Sequence, residues 1–252
     1  MSEAGQGPAL ILLHGLFGAG KNLGALSRGL TDRFRVLSLD LRNHGASFHA
    51  SPMDYETQAQ DVIETMDRAG IGEAMLIGHS MGGKVAMRLA LDHPDRLTAL
   101  IVMDIAPLPY AHAYGSELDA MRNLPLAPGL TRQQADAALA RDMPDPALRS
   151  FLMNNLILGD APHWRLGLDE IAEAMPDILD WHDATSPPAY RKPALFLFGA
   201  KSDYVGAEGQ KAIRKQFPHA ELVPVPNAGH WLHAEQPGAV LAEINRFLRS
   251  AL

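Results

Sequence analysis

Cysteine is absent from all 252 residues. That absence removes disulfide scaffolds, thiolate metal sites and thiol nucleophiles together. Positive charge is in short supply: 22 Lys plus Arg stand against 29 Asp plus Glu, for a formal net charge of −7. Nucleic acid is therefore not an expected partner, since phosphate binding needs a basic footprint. No apolar stretch approaches the length of a membrane span. The first apolar run, residues 9–13, is too short for a secretory signal core and has no basic stretch before it. A soluble cytoplasmic protein is the expectation. The composition, 47% hydrophobic and 20% charged, excludes a disordered chain.

Short apolar runs alternate with helical spacing along the chain. Residues 9–13 (ALILL), 35–39, 74–78, 97–104, 193–198 and 220–225 read as strands, apolar almost throughout as in strands covered on both faces. Helical spacing occupies 22–30, 55–69, 81–92, 207–216 and 237–252. The alternation predicts a doubly wound, mostly parallel α/β sheet. Residues 107–187 break the rhythm, with no strand run and 9 of the 18 prolines. Helical patches at 116–124, 132–141, 146–156 and 169–175 make this stretch a helical cap inserted into a core of residues 1–106 and 188–252. It carries 5 Arg against 12 Asp plus Glu, so the whole net charge of the chain sits on it. Its tryptophans (Trp164, Trp181) and methionines (Met121, Met143, Met153, Met175) are read as the core of that lobe.

The strongest chemical signal is G-H-S-M-G at 78–82, with an apolar strand running in and a helix-forming run leading out. A serine at such a strand-to-helix turn is held exposed on a strained backbone, and glycines two residues to either side let strand and helix approach. A hydroxyl is a poor nucleophile at neutral pH and needs a base. His230, in Asn227-Ala228-Gly229-His230 after the last strand, falls at the same carboxyl edge of the sheet as Ser80. His233 is its neighbouring rival, placed nearer the final helix. Asp40 and Arg42 read as local locks on neighbouring loops.

Taken together, His14-Gly15-Leu16-Phe17-Gly18, Asp40-Leu41-Arg42-Asn43-His44-Gly45, Gly78-His79-Ser80-Met81-Gly82-Gly83-Lys84, Asp104-Ile105-Ala106-Pro107 and Gly229-His230-Trp231 make the chain resemble α/β-hydrolase-fold serine esterases. The resemblance is to the small bacterial esterases related to abhydrolase-domain-11 proteins, and it covers essentially the whole length. It implies carboxylester hydrolysis on small to medium acyl esters, with no cofactor or metal. It also implies Ser80 as nucleophile, His230 as base, and an oxyanion hole formed by the backbone N–H groups of Met81 and Leu16, with Phe17 the near alternative to Leu16. Phe17 and Trp231 would line the substrate pocket. Only eight residues precede the first strand, so the usual N-terminal hairpin of the fold is expected to be shortened or absent.

Two acids stay open. In most of the fold the acid follows the penultimate strand three residues after a glycine, where this chain has Ser202, with Asp203 one place late. The other is Asp104, 24 residues beyond Ser80, which the resemblance favours. Thioesterase, C–C hydrolase, haloperoxidase-like and peptidase chemistry share the scaffold, as do slow-hydrolysing small-ligand receptors. The protein is expected to be a monomer or small homo-oligomer. The acidic cap carries an outcome of its own: an acyl-CoA should turn over more slowly than a neutral ester of the same acyl chain, by like-charge repulsion. Equal rates for the two substrates at low ionic strength would remove the effect.

Overall fold

The computed structural model describes residues 1–111, 114–182 and 189–251. Strands β1 (Ser2–Ala4), β2 (Ala9–Leu13), β3 (Arg35–Leu39), β4 (Ala74–His79) and β5 (Leu97–Met103) come first, with helices α1 (Gly24–Leu30), α2 (Tyr55–Arg68) and α3 (Met81–Asp92) between them. Next follow α4 (Gly115–Arg122), α5 (Arg132–Leu139), α6 (Pro146–Leu152), the short strands β6 (Leu156–Ile157) and β7 (His163–Trp164), α7 (Leu168–Glu173) and α8 (Met175–Leu179). The chain closes with β8 (Ala194–Gly199), α9 (Ala207–Gln216), β9 (Glu221–Val225), α10 (Leu232–Glu235) and α11 (Pro237–Ala251).

Seven strands form one sheet in the order β1-β3-β2-β4-β5-β8-β9. All neighbours are parallel except β1, which pairs antiparallel with β3 at the edge. The near-continuous apolar runs are explained by burial on both faces. Ile11 and Leu13 of β2 join the cluster that includes Val62 and Met66 of α2, Val85 and Leu89 of α3 and Ile213 of α9. Leu10 and Leu12 point the other way, into the cluster with Leu26 and Leu30 of α1 and Val240, Ile244 and Phe247 of α11. This is the period-two alternation of a strand, with no polar face because neither side meets water.

Several expectations need correction. Residues 9–13 are not the first strand: β1 precedes them, too short and too polar to read from the sequence, and the N-terminal hairpin is shortened as expected. Strand β5 ends at Met103, one residue earlier than expected, because Asp104 leaves the pleat with φ +53°. Residues 107–187 are not strand-free: β6 and β7 pair as a two-stranded antiparallel ribbon. Its strands of two residues each carry no periodicity that a sequence reading can use. The patch expected at 169–175 is two helices, α7 and α8, with Pro176 in the first turn of the second. The expected boundary between residues 187 and 188, and Leu252 at the end of the last helix, lie outside the described residues.

The segment between β5 and β8 does not keep a core to itself. Met121, Met143, Met153, Trp164, Met175 and Trp181 belong to the same apolar cluster as α2 and α3. Trp164 also donates its indole N–H to the Met121 carbonyl at 2.9 Å. These side chains are core, as read from the sequence.

Two glycines set how closely helix α3 can sit on the sheet. A Cβ on Gly78 would lie 2.2 Å from the Gly82 carbonyl oxygen, and one on Gly82 would lie 2.5 Å from the His14 oxygen. Those neighbours are backbone and cannot swing aside. Gly82→Ala should therefore cost roughly 1–3 kcal/mol, lowering the midpoint of thermal unfolding by several degrees for a chain of this size. An unchanged calorimetric midpoint would show that the gap tolerates a methyl group.

Candidate active site

Ser80 is the residue between β4 and α3, at φ +51° and ψ −120°. A non-glycine residue there is strained, and the packing of the two elements on either side holds it. Its N–H donates to the Met103 carbonyl at 3.0 Å, which ties the turn to the end of β5. The side chain stands at the N-terminus of α3, where helix dipoles favour negative charge.

His230 lies on the loop after β9 and is bonded on both sides of its ring. Nε2 is 3.0 Å from Ser80 Oγ, and Nδ1 is 2.7 Å from Asp104 Oδ2. Asp104 is fully buried at the end of β5. Its Oδ1 accepts the Gly199 N–H at 2.8 Å, and Oδ2 also accepts the hydroxyl of Ser202. The three groups thus form one connected line, Ser80–His230–Asp104. Asp203 is exposed and makes no hydrogen bond to His230. Ser202, standing at the spacing where the acid was sought, binds the carboxylate that arrives from β5.

The His230 loop approaches because Gly199 ends β8: a Cβ there would lie 2.2 Å from the Gly229 oxygen. His79 completes the support, with its Nε2 2.8 Å from the His230 carbonyl oxygen. Tyr204 stacks on the His230 ring with centroids 4.0 Å apart. His233 belongs to the separate short helix α10 and lies edge-on to His79 at 4.5 Å, so it is not the partner of Ser80.

The loop after β2 comes up against the serine, since a Cβ on Gly15 would meet Ser80 Cβ at 3.1 Å. Among the described residues the N–H groups of Leu16 and Met81 have no hydrogen-bond partner. Phe17 is different: its N–H donates to His44 Nε2 at 3.0 Å, so it is already committed. His14 does the same for the Leu41 N–H at 3.0 Å. Each of these rings turns its Nδ1–H to a backbone carbonyl, Gly15 for His14 and Arg42 for His44. The tautomers are therefore set by the backbone groups around them. These histidine clamps lie in motifs visible in the sequence, but their partners come from another loop and no spacing reveals them. Asp40 and Arg42 do lock loops, though not to each other. Asp40 accepts the Gly20 and Ala46 N–H groups, and Arg42 pairs with Asp61 at 2.6 and 2.8 Å.

Two clefts open from Ser80. The outer one runs past Phe17, Leu148, Phe151 and Trp231. The inner one is walled by Ile105, Tyr110, Tyr204, Ile178 and Lys84, with Leu16 and Tyr114 shared between the two. Tyr110 Oη accepts the Ala106 N–H at 2.9 Å and donates to the Tyr204 carbonyl at 2.7 Å. Lys84 is almost fully buried, and burial pulls its ammonium down to about 7 against the raising influence of Asp180. Its Nζ donates to the Asp180 carbonyl at 2.8 Å and the Leu179 carbonyl at 3.4 Å. Among the described residues no group of three or more His, Asp or Glu side chains is arranged to hold a metal ion. Nor is any described helix long and apolar enough to cross a membrane.

The sequence pattern of the Alpha/beta hydrolase family matches residues 10–244. The chain belongs to that family. This α/β hydrolase is similar to the sn-1-specific diacylglycerol lipase ABHD11 of Mus musculus, at 38% identity over 96% of this chain and 81% of the relative. It is equally similar to Esterase YbfF of Escherichia coli (strain K12), at 38% identity over 95% of this chain and 92% of that one. Among solved structures, a marine microorganism esterase superposes with a TM-score of 0.94 at 35% identity, covering 98% of this chain and 97% of its own. The family resemblance read from the motifs holds, and the α/β-hydrolase chain is a hydrolase.

The buried histidines of this hydrolase make stability depend on acid. Burial, and then the His14 ring beside it, push the His44 imidazole down to about 3, whereas an unfolded histidine titrates near 6.5. Below that value the unfolded chain takes up a proton that the folded chain refuses, so stability falls as the pH falls from 6.5 toward 3. Each such ring contributes a slope of up to about 1.4 kcal/mol per pH unit. Urea midpoints measured from pH 7 to 4.5 should fall less steeply for His44→Gln than for the wild type. Parallel slopes would mean that His44 accepts its proton in the folded state.

Proposed function

We propose that the protein is a carboxylic ester hydrolase in which Ser80, His230 and Asp104 form a catalytic triad and act through an acyl-enzyme. The observation that carries this reading is the double bonding of His230, to the Ser80 hydroxyl through Nε2 and to the buried Asp104 carboxylate through Nδ1. That the curated relatives are named as an esterase and a lipase supports an ester as the bond broken.

In this reading His230 accepts the Ser80 proton as Oγ attacks the ester carbonyl. Asp104 holds the imidazole in the tautomer with Nδ1–H and stabilises the imidazolium without taking the proton. The negative oxygen of the tetrahedral intermediate is received by the N–H groups of Leu16 and Met81, which have no partner among the described residues. Phe17 is set aside for that task because its N–H is spent on His44. The imidazolium then protonates the leaving alcohol. Water, deprotonated by the same nitrogen, releases the acid and restores Ser80. The segment between β5 and β8 serves as the cap, since Tyr114, Leu148 and Phe151 contribute to the wall of the outer cleft. The substrates are neutral esters of small to medium acyl chains.

Hydrolysis of 4-nitrophenyl butyrate by purified variants tests the assignment. Ser80→Ala should lose nearly all turnover, and Asp104→Asn should lower kcat by about 10⁴-fold, because the amide stabilises the wrong tautomer. Asp203→Asn should leave kcat intact. Full turnover by Ser80→Ala would overturn the mechanism, and a large loss confined to Asp203→Asn would transfer the acid's role to that residue.

A further inference from the structure

We infer that the two clefts divide the ester between them, the inner one holding the acyl chain and the outer one the alcohol, and that Lys84 closes the acyl end and sets the acyl length. The inference rests on the reading that Ser80 and His230 act as nucleophile and base. A tetrahedral carbon on Ser80 Oγ has three other substituents, and each has a place. The oxyanion faces the Leu16 and Met81 N–H groups. The leaving oxygen must face His230 Nε2, which protonates it. That directs the alcohol along the outer cleft, whose wall carries His230 and Trp231. The acyl carbon is left with the remaining direction, past Met81 and into the inner cleft.

The inner cleft is small and mostly apolar. Its free volume is about 40 Å³, the same as that of the outer cleft, against roughly 10–15 Å³ for a single water on the same measure, so it holds about three or four heavy atoms. The walls are the apolar bodies of Ile105 and Ile178 and the rings of Tyr55, Tyr110 and Tyr204. Lys84 closes it. Its Nζ lies 4.9 Å from the Tyr110 ring centre and 5.3 Å from that of Tyr55, and it is bonded to the Leu179 and Asp180 carbonyls. Withdrawing the ammonium would leave those carbonyls without their donor, so the side chain is a fixed wall rather than a group that yields to a longer chain. Esters with acyl groups of two to about four carbons are the class that fits.

The test is a pair of substrate series on one set of variants. The acyl series is 4-nitrophenyl acetate, butyrate, hexanoate and octanoate; the alcohol series is the acetates of methanol, butanol and benzyl alcohol, followed by acid release. The wild type should peak in kcat/KM at acetate or butyrate. Lys84→Ala and Ile178→Ala, which enlarge the inner arm, should each raise the hexanoate-to-acetate ratio of kcat/KM by at least about tenfold, chiefly through KM, while retaining the alcohol preference. Phe151→Ala, in the outer cleft, should change the alcohol preference and retain the acyl profile. Should Lys84→Ala fail to fold, Ile178→Ala decides alone. An acyl profile that ignores the inner-arm changes, or that moves with Phe151→Ala instead, overturns the assignment. Absence of Ser80-dependent turnover on every ester overturns the hydrolytic reading itself, and is distinguishable from a misplaced acyl chain.

Discussion

Helix α3 meets the sheet backbone to backbone, and that contact governs the rest of the site. The gap at Gly78 and Gly82 admits no Cβ, so the helix descends until its first turn touches the carbonyls of Leu13 and His14. The descent forces Ser80 into its positive-φ turn and leaves the Met81 N–H pointing away from any partner. It also brings the loop after β2 beside the serine. A looser helix would relax the turn. Local strain at Ser80 is thus maintained by packing that extends over two strands and a helix.

A second close approach does the same for His230. Gly199 lets the loop after β9 lie on the end of β8, and His79 reaches across to hold the carbonyl of His230. The carboxylate comes from β5, also at a positive-φ residue, and is met by the Ser202 hydroxyl and the Gly199 N–H. The position after β8 still takes part in the site, through the Ser202 hydroxyl that donates to the Asp104 carboxylate. The carboxylate and its supporting hydroxyl arrive from two neighbouring strands and converge on one imidazole. The ring does not register which strand supplied the charge, provided that the oxygen reaches Nδ1.

Much of this was legible in the sequence because it rests on strong local patterns. Six of the seven strands of the main sheet announced themselves as apolar runs, and the G-H-S-M-G turn sat where a strand meets a helix. Other features were illegible for identifiable reasons. The three residues of β1 and the two-residue strands β6 and β7 are too short to show a period. Whether Asp104 or Asp203 reaches His230 depends on the depth at which β5 ends, a tertiary quantity. The clamps made by His14 and His44 depend on which backbone N–H lies opposite each ring. Lys84 was visible only as the last residue of the 78–84 motif, and its burial beneath α8 and between tyrosines, which makes it part of a wall, shows only in the fold. Patterns within one element were readable; pairings between elements were not.

The tie between Lys84 and the segment above it has a consequence for how such a protein changes over time. Both acceptors are main-chain carbonyls, those of Leu179 and Asp180, and the neighbouring tie from Tyr55 ends on the Ile178 carbonyl. A main-chain acceptor is supplied by every amino acid. Side chains at 178–180 can therefore be exchanged by drift or selection while the anchor beneath them persists. If the inner cleft holds the acyl chain as we propose, its roof can be recut for a different acid without being unfastened, and substrate preference becomes a readily inherited novelty of this architecture.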